Sequence, residues 1–333
     1  MAFMDSFQLR LDNDICALRF IHQYGWMRPQ ELGHLMWPNM ARDGFAHTCR
    51  AAQSWLKRGL ILSRALPEGA GRAFVLAAGG VQMLKDAGFE ASSGKDIGKM
   101  NASSWTPPVT WKHDLLATGV LVRYQSHDWD VFPEATIRRK GEWLGKIPDG
   151  LMVLDEQVVW LEVEQARKTG KFIRDLGAAL AAAAAGQMAE VCGHRPTGAA
   201  VAYVVDAQDE RSYQLDHKLR VTTAIQKESR QDTLISWIAC DTKRSGVANI
   251  TISNELVPAD ESTRILKVLD ACQWRERDGA LRSNYGARQA AIVVSDGGGY
   301  TYAVDDQQTF WAENLTAAKR GAASQIAAMP GQR

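Results

Sequence analysis

The acidic residues of GKIPDGLMVLDEQVVWLEVEQARKTGK, residues 145–171, have the types and spacing for metal-ion chemistry. Successive side chains on a strand alternate between faces, so Glu162 and Glu164 point one way while Leu161 and Val163 point the other. Asp149 follows Pro148 at the start of a second apolar run. If residues 147–154 and 157–164 pair as a hairpin, Asp149 comes to lie near Glu162 or Glu164. Carboxylates this close repel, and burial pushes a proton onto one of them. A divalent cation removes the conflict, and Mg2+ or Mn2+ favours oxygen ligands of this kind. Asp149, Glu162 and Glu164 are the candidate metal ligands. Glu134 in VFPEATI and the His113-Asp114 pair that opens a helix are candidates to face the same pocket. A cation held this way binds a phosphate oxygen, acidifies an attacking water and stabilises the leaving oxygen, which is phosphodiester cleavage.

A structural reading of the same residues stands beside this one. Asp149-Gly150 suits a tight turn. Glu162 and Glu164 fit a solvent face with Trp160, Leu161 and Val163 inward, and His113 fits a helix cap or a hydrogen-bonded core histidine. Arg138, Arg139 and Lys140 form a basic run at a turn, either clamping a phosphate or simply solvated, and Arg167 and Lys168 face the same choice. Lys168 or Lys171, or Gln165 as a polar partner only, is the expected stand-in for a cation that the acidic cluster lacks at Glu164. No His-x-His triad accompanies Tyr124, Tyr203 or Tyr213, so water is the expected nucleophile.

The elements that position these residues form an α-β-β-β-α-β-α-β series. WKHDLLATGVLVRYQ reads as a helix, and WDVFPEATIRR, KIPDGLMVLD and QVVWLEVEQ read as strands. The alanine-rich helix GKFIRDLGAALAAAAAGQMAEV, the strand TGAAVAYVVD, the helix HKLRVTTAIQKES and the strand DTLISWIACD follow. This order predicts a mixed sheet flanked by helices over residues 109–242. Upstream, residues 1–90 read as three helices and a β-hairpin around PEGAG, the plan of a winged helix-turn-helix. Asp12 or Asn13 is the expected cap of the first helix, and Ala51, Trp55 and Leu56 the inward face of the third. The exposed face of that third helix would carry His47, Arg50, Gln53, Lys57 and Arg58, and the wing Arg64 and Arg72. These are the candidate DNA contacts, with protein binding by a solvated basic face as the alternative. Residues 91–108 are rich in Ser, Gly and Pro and read as a linker. Residues 243–333 read as a small α+β region, with a hairpin around SDGGG and a final helix over TFWAENLTAAKRGAASQIAAM that has Asn314 or Thr316 near its start.

Composition narrows the partners. A net charge of +1 gives no global attraction to polyanions, so nucleic-acid binding must come from local patches. Residues 1–100 carry 12 Lys/Arg and 9 Asp/Glu, a local +3. No apolar run is long enough to span a bilayer. The start MAFMDSFQLRLDND lacks the pattern of a secretory signal. The five cysteines are scattered without metal-ligand spacing, so reduced thiols in a cytoplasm are expected.

PD, twelve residues, then ExE resembles the PD-(D/E)xK nuclease superfamily, with Glu164 where Lys is usual. HDLLATG, Glu134, IPDG and LEVEQARKTGK after a winged helix resemble more fully the replication-relaxation family, which is similar to the MOBC class of plasmid relaxases. The likeness runs from about residue 12 to 205. It implies a multidomain α+β and α/β fold with a PD-(D/E)xK-type sheet. By resemblance, Asp149 and Glu162 are metal ligands and Glu164 is a third ligand or water-orienting base. Glu134 completes the cluster, and His113 lies by the scissile phosphate. The implied activity is metal-dependent nicking of double-stranded DNA at a specific site in plasmid or mobile-element mobilisation, with other mobilisation or replication proteins as partners. The competing expectation is a DNA-binding regulator or replication accessory with a nuclease-like scaffold and no catalysis.

Overall fold

Apolar residues at helical spacing bury Ala17, Leu18, Ile21 and Tyr24 on one face of α1 (Ser6–Tyr24), which begins before the expected cap. Pro29 opens α2 (Pro29–Met36), a position where its missing N–H leaves no bond unmade. In α3 (Asp43–Lys57) the inward residues are Gly44, Thr48, Ala52 and Trp55. Leu56, expected inside, is 41% exposed. The crossing of α2 and α3 is close enough that a Cβ on Gly33 would lie 2.8 Å from the Gly44 backbone. An antiparallel pair, β1 (Ile61–Ala65) and β2 (Arg72–Leu76), follows, and Met27 bridges to Phe74 beside it. The helix α4 (Ala78–Asp86) comes next. Buried Arg28 grips Glu31 and donates to Ala70 O (3.0 Å), tying α2 to the hairpin tip.

The computed structural model describes residues 6–38, 43–92, 98–101, 104–141, 146–165, 170–205, 210–229, 231–243, 246–260, 265, 268–269, 271–285, 287–295, 298–305 and 308–329. The chain divides into two units. One is Met1–Thr169 with Ala182–Lys218 and Leu234–Glu255; the other is Gly170–Ala181 with Leu219–Thr233 and Leu256–Arg333. Among the described residues no helix is long and apolar enough to cross a membrane.

The first unit holds a mixed sheet in the order β10-β9-β8-β7-β6-β5. Its strands are β5 (Asp130–Pro133), β6 (Gly150–Leu154), β7 (Gln157–Glu164), β8 (Gly198–Val205), β9 (Thr233–Lys243) and β10 (Gly246–Val257). β5, β6 and β7 are antiparallel, and β7, β8 and β9 are parallel. The parallel connections run through α7 (Lys171–Ala184) and α8 (Glu210–Glu228), as such crossovers require. α5 (Trp111–Gln125) lies against β5, β6 and β7.

Several details depart from the sequence expectation. WDVFPEATIRR is a strand only to Pro133. Its remainder is α6 (Glu134–Lys140), because Pro133 ends the ladder and starts a helix. Residues 91–108 contain a small hairpin, β3 (Lys99–Asn101) with β4 (Ser104–Thr106). They do not separate two cores. Leu18, Ile21 and Tyr24 share one apolar cluster with Leu116, Val120, Leu161, Val163 and Ile238. Polar ties reinforce it: Tyr24 Oη donates to Gln125 Oε1 (2.8 Å), Gln23 Nε2 to Val131 O (2.8 Å) and Thr136 Oγ1 to Gln23 O (2.7 Å). The strand VANITISNEL, grouped by sequence with residues 243–333, belongs to β10 and extends the central sheet.

The second unit contains an antiparallel sheet ordered β11 (Arg275–Arg277), β12 (Ala280–Tyr285), β13 (Arg288–Val294), β14 (Tyr300–Val304) and β15 (Phe310–Ala312). The final helix α9 (Leu315–Ala328) packs on β13, β14 and β15, and Ala290, Val304, Ala322, Ala323 and Ile326 share its core. The expected helix over TFWAEN is a strand instead, and Asn314 caps α9 by accepting from Ala317 N (2.9 Å). In the same unit Gly177 of α7 meets Ala224 of α8, so closely that a Cβ would lie 2.6 Å from the Ala224 backbone.

Candidate active site

The β6–β7 hairpin turns at Asp155-Glu156, with Asp155 at φ 51°, and not at Asp149-Gly150. Gly150 is the first residue of β6 and pairs with Leu161. A Cβ there would approach within 2.8 Å of Leu121 on α5, so the glycine lets the helix sit close to the strand. Asp149 N donates to Leu161 O (3.0 Å), which continues the ladder and sets Asp149 across from Glu162. The Asp-Gly turn reading therefore fails, and the expected strand pairing holds.

Glu162 and Glu164 are both buried, which rules out the solvent-face reading. They share their side of β7 with Trp160, while Leu161 and Val163 join the apolar cluster on the α5 side. Glu162 is 0% exposed; its Oε1 accepts from Trp160 Nε1 (2.7 Å) and its Oε2 from the Lys146 ammonium. Burial, and then the charge of Asp149, raise the Glu162 carboxyl to about 7, against the opposing pull of Lys146 and Trp160. Asp149 Oδ2 accepts from Val163 N (2.7 Å) and lies 3.2 Å from His113 Nε2. His113 stands in the first turn of α5, with Nδ1 3.5 Å from Asp114 Oδ1. Burial alone would lower its pKa, but hydrogen bonds to Asp114 and Asp149 and the charges of both raise it to about 10, making it an imidazolium at neutral pH. Two carboxylates on facing strands thus meet two cations.

The other candidates diverge. Glu164 Oε2 lies 3.2 Å from His217 Nε2 of α8. Glu134 N donates to Asp149 O (3.3 Å), so its backbone borders the site, yet its carboxylate accepts from Arg138 Nε (2.6 Å). Lys168 and Arg167 lie outside the described residues. The cation beside Glu162 is Lys146, which the sequence reading passed over although it stands three residues before Asp149. Trp160 was legible as the residue two before Glu162 on the same face. His217 carried no sequence signal.

Among the described residues, no group of three or more His, Cys, Asp and Glu side chains is arranged to hold a metal ion. The donor chemistry of Asp149 and Glu162 nevertheless suits a hard divalent cation. The Asp149 charge helps raise the pKa of Glu162, and such a cation would relieve that repulsion.

On α3, His47, Arg50, Gln53 and Lys57 are exposed and recur on the side opposite Thr48, Ala52 and Trp55. Arg50 Nη2 lies 3.0 Å from His47 Nδ1, and the His47 ring lies 5.7 Å from Trp37. Arg58 instead pairs with Asp14 (2.5 Å), which also accepts from Trp55 Nε1 (2.6 Å), so this arginine anchors α1 to α3. Arg64 and Arg72 sit on adjoining hairpin strands, where Arg72 Nε donates to Ser63 Oγ (2.8 Å) and Arg64 Nη1 to Ser63 O (3.4 Å). Arg139 is occupied: Nη2 donates to His22 O (2.5 Å) and Gln23 O (3.1 Å), carbonyls at the end of α1. It caps a helix. Arg138 is exposed and pairs with Glu134.

Compared with family models, curated proteins and solved structures, the chain matches none.

Proposed function

We propose that the protein is a metal-dependent DNA endonuclease that nicks a double-stranded site chosen by its N-terminal helices, in the manner of a plasmid relaxase of the PD-(D/E)xK type. One observation carries this reading: Asp149 and Glu162 face each other at the ends of β6 and β7, with Glu162 fully buried and held near neutrality. The site lies at the carboxyl end of β7, beside parallel β8, where open α/β sheets bind ligands. Asp149 and Glu162 would hold Mg2+ or Mn2+, which supplies Lewis acidity toward a phosphate oxygen and a more acidic water. Lys146 and His113 offset the two carboxylates and are donors suited to phosphate oxygens. The exposed row His47, Arg50, Gln53 and Lys57 supports duplex contact, and Arg64 and Arg72 on the β1–β2 hairpin are further candidates. Work on plasmid or mobile-element DNA in a cytoplasm, beside mobilisation or replication proteins, belongs to the same proposal.

Nicking of supercoiled plasmid in Mg2+ or Mn2+ tests it. Wild type should yield open circles, and Asp149→Ala and Glu162→Ala should each lose about 100-fold or more of the rate. Equal nicking by all three proteins removes this site from the chemistry. A second reading has its own support, since Lys146 and His113 already neutralise the two carboxylates. It is a DNA-binding regulator or replication accessory on a nuclease-like scaffold. Calorimetry with Mn2+ separates the two: no heat at millimolar metal, with duplex binding intact, favours the scaffold.

A further inference from the structure

The outer face of the sheet in the second unit carries a group of residues that the carboxylate site does not use. Directly opposed residues of an antiparallel ladder share a face, as do residues two apart on one strand. Arg275 on β11 faces Arg282 on β12, Arg282 faces Ala291 on β13, and Ala291 faces Ala303 on β14. Two residues before Ala303, Thr301 faces Trp311 on β15. Arg275, Arg277, Arg282 and Trp311 therefore lie on one face, and all four are exposed, Trp311 by 63%. The alternate residues Ser283, Ala290, Ile292, Val304 and Ala312 are buried, and α9 covers that side.

Charge and shape together fit one kind of occupant. Guanidinium groups directly opposite one another repel, and an anion between them relieves the repulsion. Among the described residues neither Arg275 nor Arg282 has a carboxylate partner. Arg275 Nη2 donates to Gln273 Oε1 at 3.4 Å, and Arg277 Nε lies 3.8 Å from Asp278. The three arginines, with Asp278, Asn284, Gln289 and Ala303, line a hollow of about 660 Å³, in which three guanidinium groups outnumber the one carboxylate. Ala291 and Ala303 keep the floor low between the arginines and the indole. Trp311 is fixed in place: Nε1 donates to Gly298 O (3.3 Å), and a Cβ on Gly299 would come within 3.0 Å of the ring. An exposed indole held by backbone is a stacking platform for an unpaired base. We propose that this face binds single-stranded nucleic acid, with phosphates on Arg275, Arg277 and Arg282 and a base on Trp311. From β11 to β15 the face crosses four strand intervals, about 19 Å, enough for a few nucleotides. A duplex keeps its bases stacked inside and offers Trp311 no open π-face.

This goes beyond the nicking reading and does not rest on it, because binding is measured in EDTA. The assay is fluorescence anisotropy of a labelled oligo(dT) and of a duplex of equal length with the full chain, each variant first matched to wild type by circular dichroism. Trp311→Ala should weaken oligo(dT) binding about tenfold or more and leave its salt dependence unchanged. The double variant Arg275→Ala/Arg282→Ala should reduce the salt slope by about 1.4. Duplex binding should be unchanged in both. Wild-type oligo(dT) affinity in Trp311→Ala, or equal losses for oligo(dT) and duplex, overturns the proposal. So does polyglutamate binding as tightly as oligo(dT), which would make the face a site for acidic peptides.

Discussion

Replacing Glu162 by Gln removes a titration that burial imposes on the site. The Glu162 carboxyl is raised from 4.5 to about 7, first by desolvation and then by the charge of Asp149. For a group whose folded-state pKa is raised, the contribution to stability is fully present below the unfolded value and is lost as the pH climbs through the folded one. Glu162 should therefore withdraw stability as the pH rises from about 4.5 to beyond 7. Most of that loss falls between pH 5 and pH 8 and is on the order of a few kcal/mol. Gln keeps the shape and polarity of the protonated side chain but cannot ionise. Urea unfolding followed by tryptophan fluorescence at constant ionic strength, for wild type and Glu162→Gln across this range, isolates the effect. Histidines that titrate in the same window are common to both proteins and cancel in the difference. The difference curve should favour the variant progressively with pH. Asp149→Asn should shrink the wild-type loss, because it removes the like charge that helps hold the proton on Glu162. A flat difference between pH 5 and pH 8 would refute the assignment of Glu162 as a buried, strained carboxylate.

Two further outcomes concern the scaffold. Arg139→Ala should cost about 1.5–3 kcal/mol by freeing two carbonyls of α1, measured by urea unfolding, and should leave the salt slope of duplex binding unchanged. Gly150→Ala should cost about 1–3 kcal/mol in the same measurement, because its Cβ presses on buried Leu121 beneath Asp149.

Local pattern made part of this legible. The pairing of residues 147–154 with 157–164 followed from two apolar runs and a short polar gap, and the register then set Asp149 opposite Glu162. Period-two alternation assigned Leu161 and Val163 to one side and both glutamates to the other. Helical spacing gave Leu18, Ile21 and Tyr24 of the buried face of α1, but for α3 it gave only Trp55 and missed Thr48 and Ala52. Contacts made at long range were not legible. Residues 91–108 have the composition of a linker, yet the helices before them and the sheet after them share one core, because packing is decided by surface shape and not by the chain between. Arg139 looked like a phosphate ligand because a basic run carries no sign of which carbonyls the fold brings to it. Glu134 looked like a fourth ligand because WDVFPEATIRR reads as a strand throughout, whereas the strand ends at Pro133. At the start of a helix its side chain turns to Arg138, four residues on.

Stability does not explain why these charges are buried. An ion pair deep in a protein is often no better than an apolar pair of equal volume, because desolvation offsets the attraction. Glu162 with Lys146 and Asp149 with His113 stand on or beside one strand end of a sheet whose other buried residues are largely apolar. The hairpin register, the Gly150 approach to Leu121 and the apolar side of β7 all form without them. The raised pKa of Glu162 is the direct sign of the cost, since the fold holds this carboxylate where its charge is disfavoured. Under the function proposed above, the stability given up to these groups at the carboxyl end of a parallel strand would be recovered in binding a charged ligand. The cations already present set what that ligand must offer: a positive charge to share the carboxylates, an anionic oxygen to take up Lys146 and His113, or, as with a cation bound to a phosphodiester, both.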